Sequence, residues 1–429
     1  MPIALPILSP IINSMIKRTI LPQLIAHLEN PEITVITGSR QSGKTTLMEQ
    51  LKEQVEKNGG KTLYLNLDTG NAMSYFHNQL DFVNFAKLQL GNSKAYIFID
   101  EMQRVENAGL FLKGLYDSHL PYKFIVSGSG SLELKEKIKE SLAGRKRIFE
   151  INTISFLEFV NYKTDYRYSD KLLDFFTVDT STSSRLLSEY LSFGGYPKVV
   201  IAETLEEKSK IIQDIYESYL ERDIKDLLHI QKSAIFTQLV TLIASQIGQP
   251  VNYTELGSTL GINTETIKHY LWYLEKTFVL KRVSPHFGNM RKELTKMPIF
   301  YFKDLGMRNY ALNRFSHFGT DVMSGFLFQN LIFQLLQEKY PLYKAAYWRT
   351  RDGSEVDFVL TGGVEIMPCE VKYSAISESK ATIPRSVISY ISSYHPKKIS
   401  LINLSLKKTF KTINGTEVEF VPYYELVDN

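Results

Sequence analysis

Residues 38 to 45 read "GSRQSGKT", and this segment constrains the fold more than any other stretch of the chain. It fits the pattern G-x-x-x-x-G-K-[ST], in which glycines let the backbone turn so that successive amides point at phosphate oxygens. The apolar run "ITVIT" precedes it and the helical pattern "TTLMEQLKEQVEK" follows it. A strand, a glycine-rich loop and a helix in this order predict a phosphate-binding loop at the positive end of the helix.

The polar residues of this loop have predicted roles in binding ATP. We expect Lys44 to reach the outer phosphates and Thr45 to ligate Mg²⁺. A chance match inside an unrelated loop is the alternative, and the flanking strand and helix argue against it. The predicted phosphate-binding residues are Gly38, Ser39, Arg40, Gln41, Ser42, Gly43, Lys44, Thr45 and Thr46.

An apolar strand that ends in acid supplies the second part of such a site. The stretch is "AYIFIDEMQRV", which contains Asp100 and Glu101. We predict that Asp100 holds Mg²⁺ through water and that Glu101 polarises the attacking water. Alone, the pair would be an ordinary strand end with solvated acids. Joined to the phosphate loop, it indicates ATP hydrolysis.

Further polar residues lie at strand ends of the same segment. Ser127 and Ser129 end "KFIVSGSGS" and are candidates for the group that senses the terminal phosphate; a capped turn is the alternative. Arg145, just before the strand "RIFEI", could reach the ATP of a neighbouring copy in a ring or dimer. A surface ion pair is the alternative for Arg145. We expect Asp68, at the end of "TLYLNLD", to be structural.

The pattern of apolar runs predicts the fold class. From about residue 30 to 160, short strand candidates alternate with helical patterns, which predicts an α/β fold with a mainly parallel sheet covered by helices. A chain of 429 residues is also too long for one ordinary compact core. The predicted units are an ATPase core with an amino-terminal arm (1–160), a helical lid or connector (161–231), a winged helix-turn-helix (232–310) and a nuclease-like α/β domain (311–429).

The compartment is inferred from what the sequence lacks. The amino-terminal stretch has no basic residue before its apolar run and is broken by Pro2, Pro6 and Pro10, so we expect an arm packed on the first domain and not an export signal. No run approaches the roughly 18 apolar residues of a membrane span. Cys369 is the one cysteine, which excludes an internal disulfide and fits a reducing compartment. These features predict a cytoplasmic protein.

Residues 251 to 287 have the order of a DNA-reading unit. They predict a helix, a turn at Gly261, a second helix from about Asn263 to Lys276 and a strand, which suits a winged helix-turn-helix. Glu265 and Glu275 dilute the basic character, so contact with DNA and packing against another domain both remain open. The residues offered to a groove are Asn263, Thr264, Thr266, Lys268 and His269, with Arg291, Lys292 and Lys296 in the wing.

The segment "GSEVDFVLTGGVEIMPCEVKYS", residues 353 to 374, carries a second set of polar residues on strand candidates. Period-two alternation places Glu355 and Asp357 on one strand face, and Glu370 with Lys372 on one face of the next strand, so four polar groups could converge. In a metal-dependent nuclease such acids bind a divalent cation and the lysine orients or activates water. A second metal site at Asp357, Glu370 and Lys372 and a pair of solvated strand faces are the two interpretations.

Basic residues outnumber acids in the segment that follows. This local surplus could follow a phosphate backbone or form a solvated basic face. Between residues 371 and 411, Glu378 is the one acid, and the basic residues are Lys372, Lys380, Arg385, Lys397, Lys398, Lys407, Lys408 and Lys411.

Taken together, these motifs resemble a prokaryotic family of AAA+-type, origin-recognition-like ATPases whose members carry a carboxyl-terminal domain of unknown function. The motifs are "TGSRQSGKTTL", "YIFIDEMQRV", "IVSGSGSLELKEKIKESLAGR", "EINTISFLEF", "FGGYPKVV" and "YLERDI". The resemblance implies an AAA+ core, a winged-helix segment and a carboxyl-terminal PD-(D/E)XK-nuclease-like fold. That fold usually carries another acid on the preceding helix, where this chain has Gln329. A neutral amide should lower the affinity for Mg²⁺.

Three functions follow as hypotheses. The first is an ATP- and Mg²⁺-dependent switch whose winged-helix and carboxyl-terminal regions contact DNA or protein. The second is an ATP-gated, metal-dependent DNA nuclease, and the third is an adaptor that binds ATP without hydrolysing it. The switch uses the strongest motifs. DNA, a partner protein and a second copy of the chain are the candidate partners.

Overall fold

The protein folds around two β-sheets in a computed structural model. The structure describes residues 15–129, 142–220, 233–286, 297–315, 322–350, 352–412 and 415–427. The first sheet has five strands, all parallel, and the second has eight strands in mixed directions. The predicted α/β class with a parallel-sheet core is therefore confirmed, and a second sheet occupies the carboxyl-terminal half.

Strands and helices alternate through the amino-terminal part, as the apolar runs predicted. Every residue of the strands at 33–38 and 95–100 is buried, which is expected for apolar strands of a parallel sheet covered on both faces. The elements are α1 (Leu21–Ala26), β1 (Ile33–Gly38), α2 (Lys44–Lys57), β2 (Lys61–Asn66), α3 (Gln79–Leu90), β3 (Ala95–Asp100), α4 (Ala108–Asp117), β4 (Tyr122–Ser129) and β5 (Lys146–Ile151).

The strand order of this sheet decides which residues meet. The order is β2-β3-β4-β1-β5, so β4 lies between the strand that leads into the phosphate loop and the strand that ends in Asp100. Parallel pairing places Ser127 beside Ile36, and Asn66 beside Asp100. The carboxyl ends of β1, β3 and β4 therefore share one edge of the sheet, where ligands of open parallel sheets bind.

A helical segment follows the first sheet, where a lid or connector was predicted. Ser155 and Glu158 form a reciprocal capping box that starts its first helix, which explains why the helix begins there. Residues 221 to 232 of the predicted lid lie outside the described residues. The helices are α5 (Phe156–Lys163), α6 (Leu172–Val178), α7 (Thr180–Phe193), α8 (Pro197–Ile201) and α9 (Leu205–Ser218).

Three helices and an antiparallel strand pair come next, in the order that the sequence predicted. Asn263 caps the third of these helices, which matches the predicted start. The first strand of the pair also joins the second sheet, so the boundary proposed at residue 310 does not separate this hairpin from the carboxyl-terminal strands. The elements are α10 (Ser233–Ser245), α11 (Tyr253–Leu260), α12 (Thr264–Lys276), β6 (Leu280–Pro285), β7 (Ile299–Phe302) and α13 (Leu305–Ala311).

The second sheet is completed by the last part of the chain. Its strand order is β12-β13-β11-β10-β9-β8-β6-β7, and the antiparallel neighbours β9 and β10 bring the two predicted acidic strands side by side. The elements are α14 (Val322–Lys339), β8 (Lys344–Arg349), β9 (Glu355–Gly362), β10 (Glu365–Val371), α15 (Arg385–Tyr394), β11 (Lys398–Asn403), β12 (Lys408–Lys411) and β13 (Glu417–Pro422).

One large hydrophobic core joins the lid helices to the carboxyl-terminal half. It contains Phe159 and Leu187 of the lid, Leu271 of α12 and Leu331 of α14. Ile16 of the arm packs into the same core, so the described end of the arm is docked as expected. The parallel sheet has separate cores on its two faces. Among the described residues, no helix combines the length and apolarity needed to cross a membrane.

Candidate ATP site and a carboxylate cluster in the second sheet

The phosphate loop connects β1 to α2 at the edge of the parallel sheet. Gly43 is the N-cap of α2 with φ of 95°, and no side chain caps this helix. The first backbone bond of the helix runs from the Leu47 N–H to the Gly43 carbonyl at 3.0 Å. The N–H groups at the start of α2 therefore lie at the positive end of the helix, where anions bind.

Each glycine of the phosphate loop is required at its position for a different physical reason. A Cβ on Gly38 would lie 2.2 Å from the Ile151 carbonyl oxygen, so only glycine allows β1 and β5 to end this close together. Gly43 adopts a left-handed conformation, which costs little for glycine and strains other residues. Gln41 also has a positive φ, of 57°. The conformation of the loop therefore depends on backbone geometry at Gly38, Gln41 and Gly43.

The Lys44 side chain is folded onto the loop. It is only 5% exposed, and its Nζ donates to the carbonyl oxygens of Gly38 at 3.2 Å and Ser39 at 2.7 Å. The Ser42 hydroxyl donates to the same Ser39 carbonyl at 2.9 Å. The ammonium group is therefore held beside the amino-terminal end of α2, where it would meet a bound phosphate.

Asp100 joins the loop to the neighbouring strands. Its Oδ2 accepts hydrogen bonds from the Thr45 hydroxyl at 2.8 Å and the Tyr64 hydroxyl at 3.1 Å. Its Oδ1 accepts from the Ser127 hydroxyl and, at 3.2 Å, from the Glu101 N–H. The carboxylate is 1% exposed. Thr45, Asp100, Glu101 and Ser127, predicted separately along the chain, are thus brought together.

The oxygen donors around Asp100 fit Mg²⁺. The Thr45 hydroxyl and the Asp100 carboxylate are hard oxygen ligands placed 2.8 Å apart. Within the described residues, Asp100 has only hydroxyl and backbone donors and no cationic partner. A buried carboxylate normally requires a paired cation or a metal, so Thr45 and Asp100 are the residues that would hold the ion.

Glu101 has an unusual backbone conformation at this edge. Its φ of 60° and ψ of 43° are left-handed, a conformation that is uncommon outside glycine and is found more often at functional sites. Its N–H also lies 3.2 Å from the Ser127 hydroxyl oxygen, while its carboxylate accepts a hydrogen bond from the Gln103 amide. The backbone therefore fixes the direction of the side chain.

The other residues predicted in this sheet, Ser129, Arg145 and Asp68, lie at different distances from the ATP site. Ser129 ends β4 opposite Gly38, and nothing further is described of its side chain. Arg145 lies before β5, at the edge of the sheet opposite the phosphate loop, and pairs with Asp117 at 2.7 Å. It cannot serve the ATP site of its own chain, so a role towards a neighbouring copy stays a prediction. Asp68 forms an exposed ion pair with Arg104 at 2.6 Å.

Sequence reasoning missed two residues that contact this site. Tyr64 binds Asp100, and burial followed by the Asp100 carboxylate raises the pKa of the Tyr64 hydroxyl. Arg18 of the arm donates to the Ser42 carbonyl oxygen at 3.0 Å. Tyr64 could have been noticed as a tyrosine inside the apolar strand "TLYLNLD". No local pattern in the sequence indicates the role of Arg18.

Of the four polar residues predicted to converge at the carboxyl-terminal sheet, Asp357, Glu370 and Lys372 lie close together with Gln329 of α14, whereas Glu355 pairs with Arg349 at 3.6 Å. Asp357 accepts hydrogen bonds from the Gln329 amide on one oxygen and from the Val371 N–H, at 2.7 Å, on the other. Lys372 pairs with Glu370 at 2.7 Å. Burial, followed by the nearby Glu370 carboxylate, raises the pKa of Asp357 well above its ordinary value. Burial likewise raises the pKa of Glu370.

This carboxylate cluster fits a divalent cation poorly. Glu370 Oε2 and Gln329 Oε1 are buried and have no hydrogen-bond partner among the described residues. These two oxygen atoms could therefore accept a cation. Against this, the Gln329 amide contributes no charge and Lys372 neutralises Glu370. In the described part of the chain, no three His, Cys, Asp or Glu side chains are grouped to hold a metal.

The predicted DNA-reading residues are largely engaged within the helix α12. The Asn263 side-chain oxygen accepts from the Thr266 N–H at 2.7 Å, so Asn263 is a capping residue. Lys268 pairs with Glu265 at 2.7 Å, and His269 stacks on Trp272. Arg291, Lys292 and Lys296 lie outside the described residues. The helix therefore offers little unpaired positive charge.

The basic surplus of residues 371 to 411 is compensated in part, by two acids that come later in the sequence and by Glu378 within the segment. Lys398 pairs with Glu419 at 2.6 Å, and Lys407 pairs with Glu425 at 2.7 Å. Lys408 pairs with Glu378 at 2.5 Å. Strand pairing of β11 with β13 brings the distant acids beside the lysines. The surplus seen along the sequence is thus much smaller on the folded surface.

Comparisons with protein families identify three regions. Residues 30–160 match the family described as "AAA domain". Residues 184–317 and 324–422 each match a family described as "Domain of unknown function", DUF8612 and DUF4143 respectively.

Three relatives that match most of this chain are described as uncharacterized proteins. An uncharacterized protein of Haemophilus influenzae is 26% identical over 421 residues, covering 95% of this chain and 98% of its own. An uncharacterized protein of Methanocaldococcus jannaschii is 23% identical over 411 residues, covering 92% and 88%. One of Mycobacterium tuberculosis is 26% identical over 352 residues, covering 80% and 70%.

Solved structures give partial likenesses. A replication initiator DnaA bound to AMPPCP and single-stranded DNA is 13% identical with a TM-score of 0.26, covering 60% of this chain and 86% of its own. A structure described as the basis for katanin self-assembly is 15% identical with a TM-score of 0.23, covering 34% and 50%. The family matches thus assign residues 30–160 to an AAA domain and residues 324–422 to a carboxyl-terminal domain of unknown function.

Proposed function

We propose that this protein is a Mg²⁺-dependent, ATP-hydrolysing switch that couples its nucleotide state to contacts made by its carboxyl-terminal half. The observation that carries the proposal is the position of Asp100, whose carboxylate contacts Thr45 of the phosphate loop and Ser127 of β4. A carboxylate with these partners, beside the amino-terminal end of a helix, is suited to Mg²⁺ and a polyphosphate.

Each residue has a role that follows from its contacts. The N–H groups at the start of α2 and the Lys44 ammonium bind the phosphates and neutralise their charge. A bound Mg²⁺, held by Thr45 and Asp100, would stabilise the charge on the terminal phosphates. Ser127 holds Asp100 in place and lies beside Glu101. The Glu101 carboxylate, oriented by Gln103, accepts a proton from the attacking water.

A chain of contacts links the phosphate loop to the carboxyl-terminal half. Pro197 of α8 lies next to Gly43, 3.7 Å from where a Cβ would be. The neighbouring Gly195 accepts from the Ile154 N–H at 2.7 Å and donates to Asp304 at 2.8 Å. Asp304 caps α13. These contacts support coupling between the ATP site and the carboxyl-terminal half. A movement of the lid with the nucleotide would displace Asp304, and with it the start of α13.

Phosphate release is the direct test of the proposed activity. Steady release of phosphate from MgATP by the purified chain is the expected result, and tight ATP binding without release would favour the non-hydrolysing adaptor. Running the assay with and without DNA tests that partner. Light scattering with ATP tests self-association, which is the condition under which Arg145 could act on a neighbouring copy.

Asp304 should make stability depend on pH. Burial raises the pKa of Asp304 to about 6 from an ordinary 3.8, although N–H groups of Gly195 and Met307 oppose the shift. A folded pKa above the unfolded value gives stability that is full below the unfolded pKa and is lost as pH rises through the folded pKa. We expect the free energy of unfolding to fall between pH 4 and 7 by up to about 3 kcal/mol more in the wild type than in Asp304→Asn.

Urea denaturation of both proteins across this pH window measures the difference. Asparagine keeps one oxygen that can accept from Gly195 or Met307, so the variant should fold. Parallel curves for the two proteins would contradict the assignment of the pH dependence to Asp304.

The nuclease alternative is not favoured by the contacts around Asp357. We expect no plasmid cleavage with Mg²⁺ or Mn²⁺, in the presence or absence of ATP, because Gln329 supplies no charge and Lys372 already pairs with Glu370. Gln329→Glu should introduce the missing acid and raise the affinity for Mn²⁺ by about tenfold or more, as measured by calorimetry.

The double variant Gln329→Glu/Asp357→Asn is the control for that experiment. It has the new acid but loses the Asp357 carboxylate, so its affinity for Mn²⁺ should return towards that of the wild type. Cleavage by the wild type that Asp357→Asn removes would instead restore the nuclease hypothesis.

A further inference from the structure

Arg18 connects the amino-terminal arm to the phosphate loop. Its side chain is 8% exposed. Nη1 donates to the Ser42 carbonyl oxygen at 3.0 Å, and Nη2 donates to the Asn152 carbonyl oxygen at 2.8 Å. Nε donates to the Glu158 carboxylate at 3.1 Å. One guanidinium group thus binds the loop, the segment after β5 and the start of α5.

Glu158 holds the guanidinium group in a fixed orientation. Its carboxylate is 3% exposed and accepts from the Thr19 N–H at 2.7 Å, the Thr19 hydroxyl at 3.0 Å and the Ser155 N–H at 3.0 Å. The capping box at the start of α5 therefore also anchors the arm. Because Glu158 and the Asn152 carbonyl hold the guanidinium group, its hydrogen bond to Ser42 restrains the position of the Ser42 carbonyl as well.

Restraining the Ser42 carbonyl sets the direction of the next amide. A trans peptide is planar, so the carbonyl of Ser42 and the N–H of Gly43 point in opposite directions. With the carbonyl directed at Arg18, the Gly43 N–H is directed away from Arg18. Among the described residues this N–H has no protein acceptor, which leaves it free for a phosphate oxygen.

We propose that Arg18 is a positioning residue that presents the Gly43 N–H to the phosphates of ATP. This proposal rests on the proposed function, since it needs ATP at this loop. Arginine suits the task because its planar fork binds acceptors in several directions, whereas the lysine ammonium is a flexible point charge. Arg18 acts through the loop and does not itself need to contact the nucleotide.

Binding of ATP to paired variants tests the proposal. Arg18→Met alone would leave the Glu158 carboxylate buried and unpaired, so the double variant Arg18→Met/Glu158→Gln is used to keep the arm folded. We expect its dissociation constant and KM for MgATP to rise about tenfold, with kcat of the saturated protein within about twofold of the wild type. Arg185→Ala, which removes an exposed lid arginine, should leave both values unchanged.

The outcomes separate positioning from general support of the fold. An unchanged KM in the double variant overturns the proposal, as does a loss of kcat at unchanged KM, because that pattern means fewer folded molecules. A comparable loss of affinity for ATP and ADP supports it, since the Gly43 N–H serves the phosphates and not the base. If the wild type binds no ATP in the same assay, the proposed function itself fails.

Discussion

Replacing Lys44 with alanine is expected to abolish ATP binding. The Lys44 ammonium lies within hydrogen-bond distance of the Gly38 and Ser39 carbonyls, at the mouth of the loop. Hydrogen bonds between charged groups and their partners are the strongest of their kind, and the ammonium would form more than one with a polyphosphate. We expect the dissociation constant for MgATP to rise by about 100-fold or more, as measured by calorimetry.

Lys52→Ala is the matched control. Lys52 lies on the same helix, α2, and is a partly exposed lysine paired with Glu56 at 2.9 Å. It makes no described contact with the loop, so its removal should leave ATP affinity unchanged. Equal affinity in Lys44→Ala and the wild type would mean that the loop does not bind phosphate, and the proposed function would be lost with it.

The residues of the ATP site that could be predicted from the sequence are those in short local patterns. The loop pattern, the acidic end of β3 and the serine in β4 each lie within a few residues of an apolar run, and parallel strands carry such ends to one edge of the sheet. The fold class followed from the same runs. Local patterns also located α12, whose cap at Asn263 was visible in the sequence.

What could not be predicted depends on partners that are distant in the sequence. Arg18 meets the Glu158 carboxylate 140 residues away, and nothing near Arg18 indicates that contact. Lys398 appears unpaired in the sequence because its partner Glu419 reaches it only through the pairing of β11 with β13. The pairing of β6 with β8 across the boundary proposed at residue 310 is another contact that no local pattern indicates.

The effect of Gln329 on metal binding could be predicted only from the sequence and the structure together. The sequence showed a neutral residue where the resemblance leads one to expect an acid, and the structure shows its amide donating to Asp357. An acid at this position could not donate, and it would face two other carboxylates. The amide therefore stabilises the cluster without a metal, which is the physical reason why we expect this arrangement not to cleave DNA.

Glu101→Gln should separate binding of ATP from its hydrolysis. Glutamine has the shape of glutamate, and the contacts that fix this position come from the backbone N–H of residue 101 to Asp100 and Ser127. The variant should therefore bind MgATP with an affinity close to that of the wild type. Its turnover should fall by about 100-fold or more, because an amide cannot accept the proton of the attacking water.

Glu106→Gln is the control for this change, because Glu106 is an exposed glutamate a few residues further along the chain. Its turnover should equal that of the wild type in the same phosphate-release assay. If Glu101→Gln keeps full turnover, water must be activated by another group, and Glu101 loses its assigned role. If it traps ATP without turnover, the trapped form allows the lid and the α13 contact at Asp304 to be compared with the nucleotide-free protein, which tests the coupling directly.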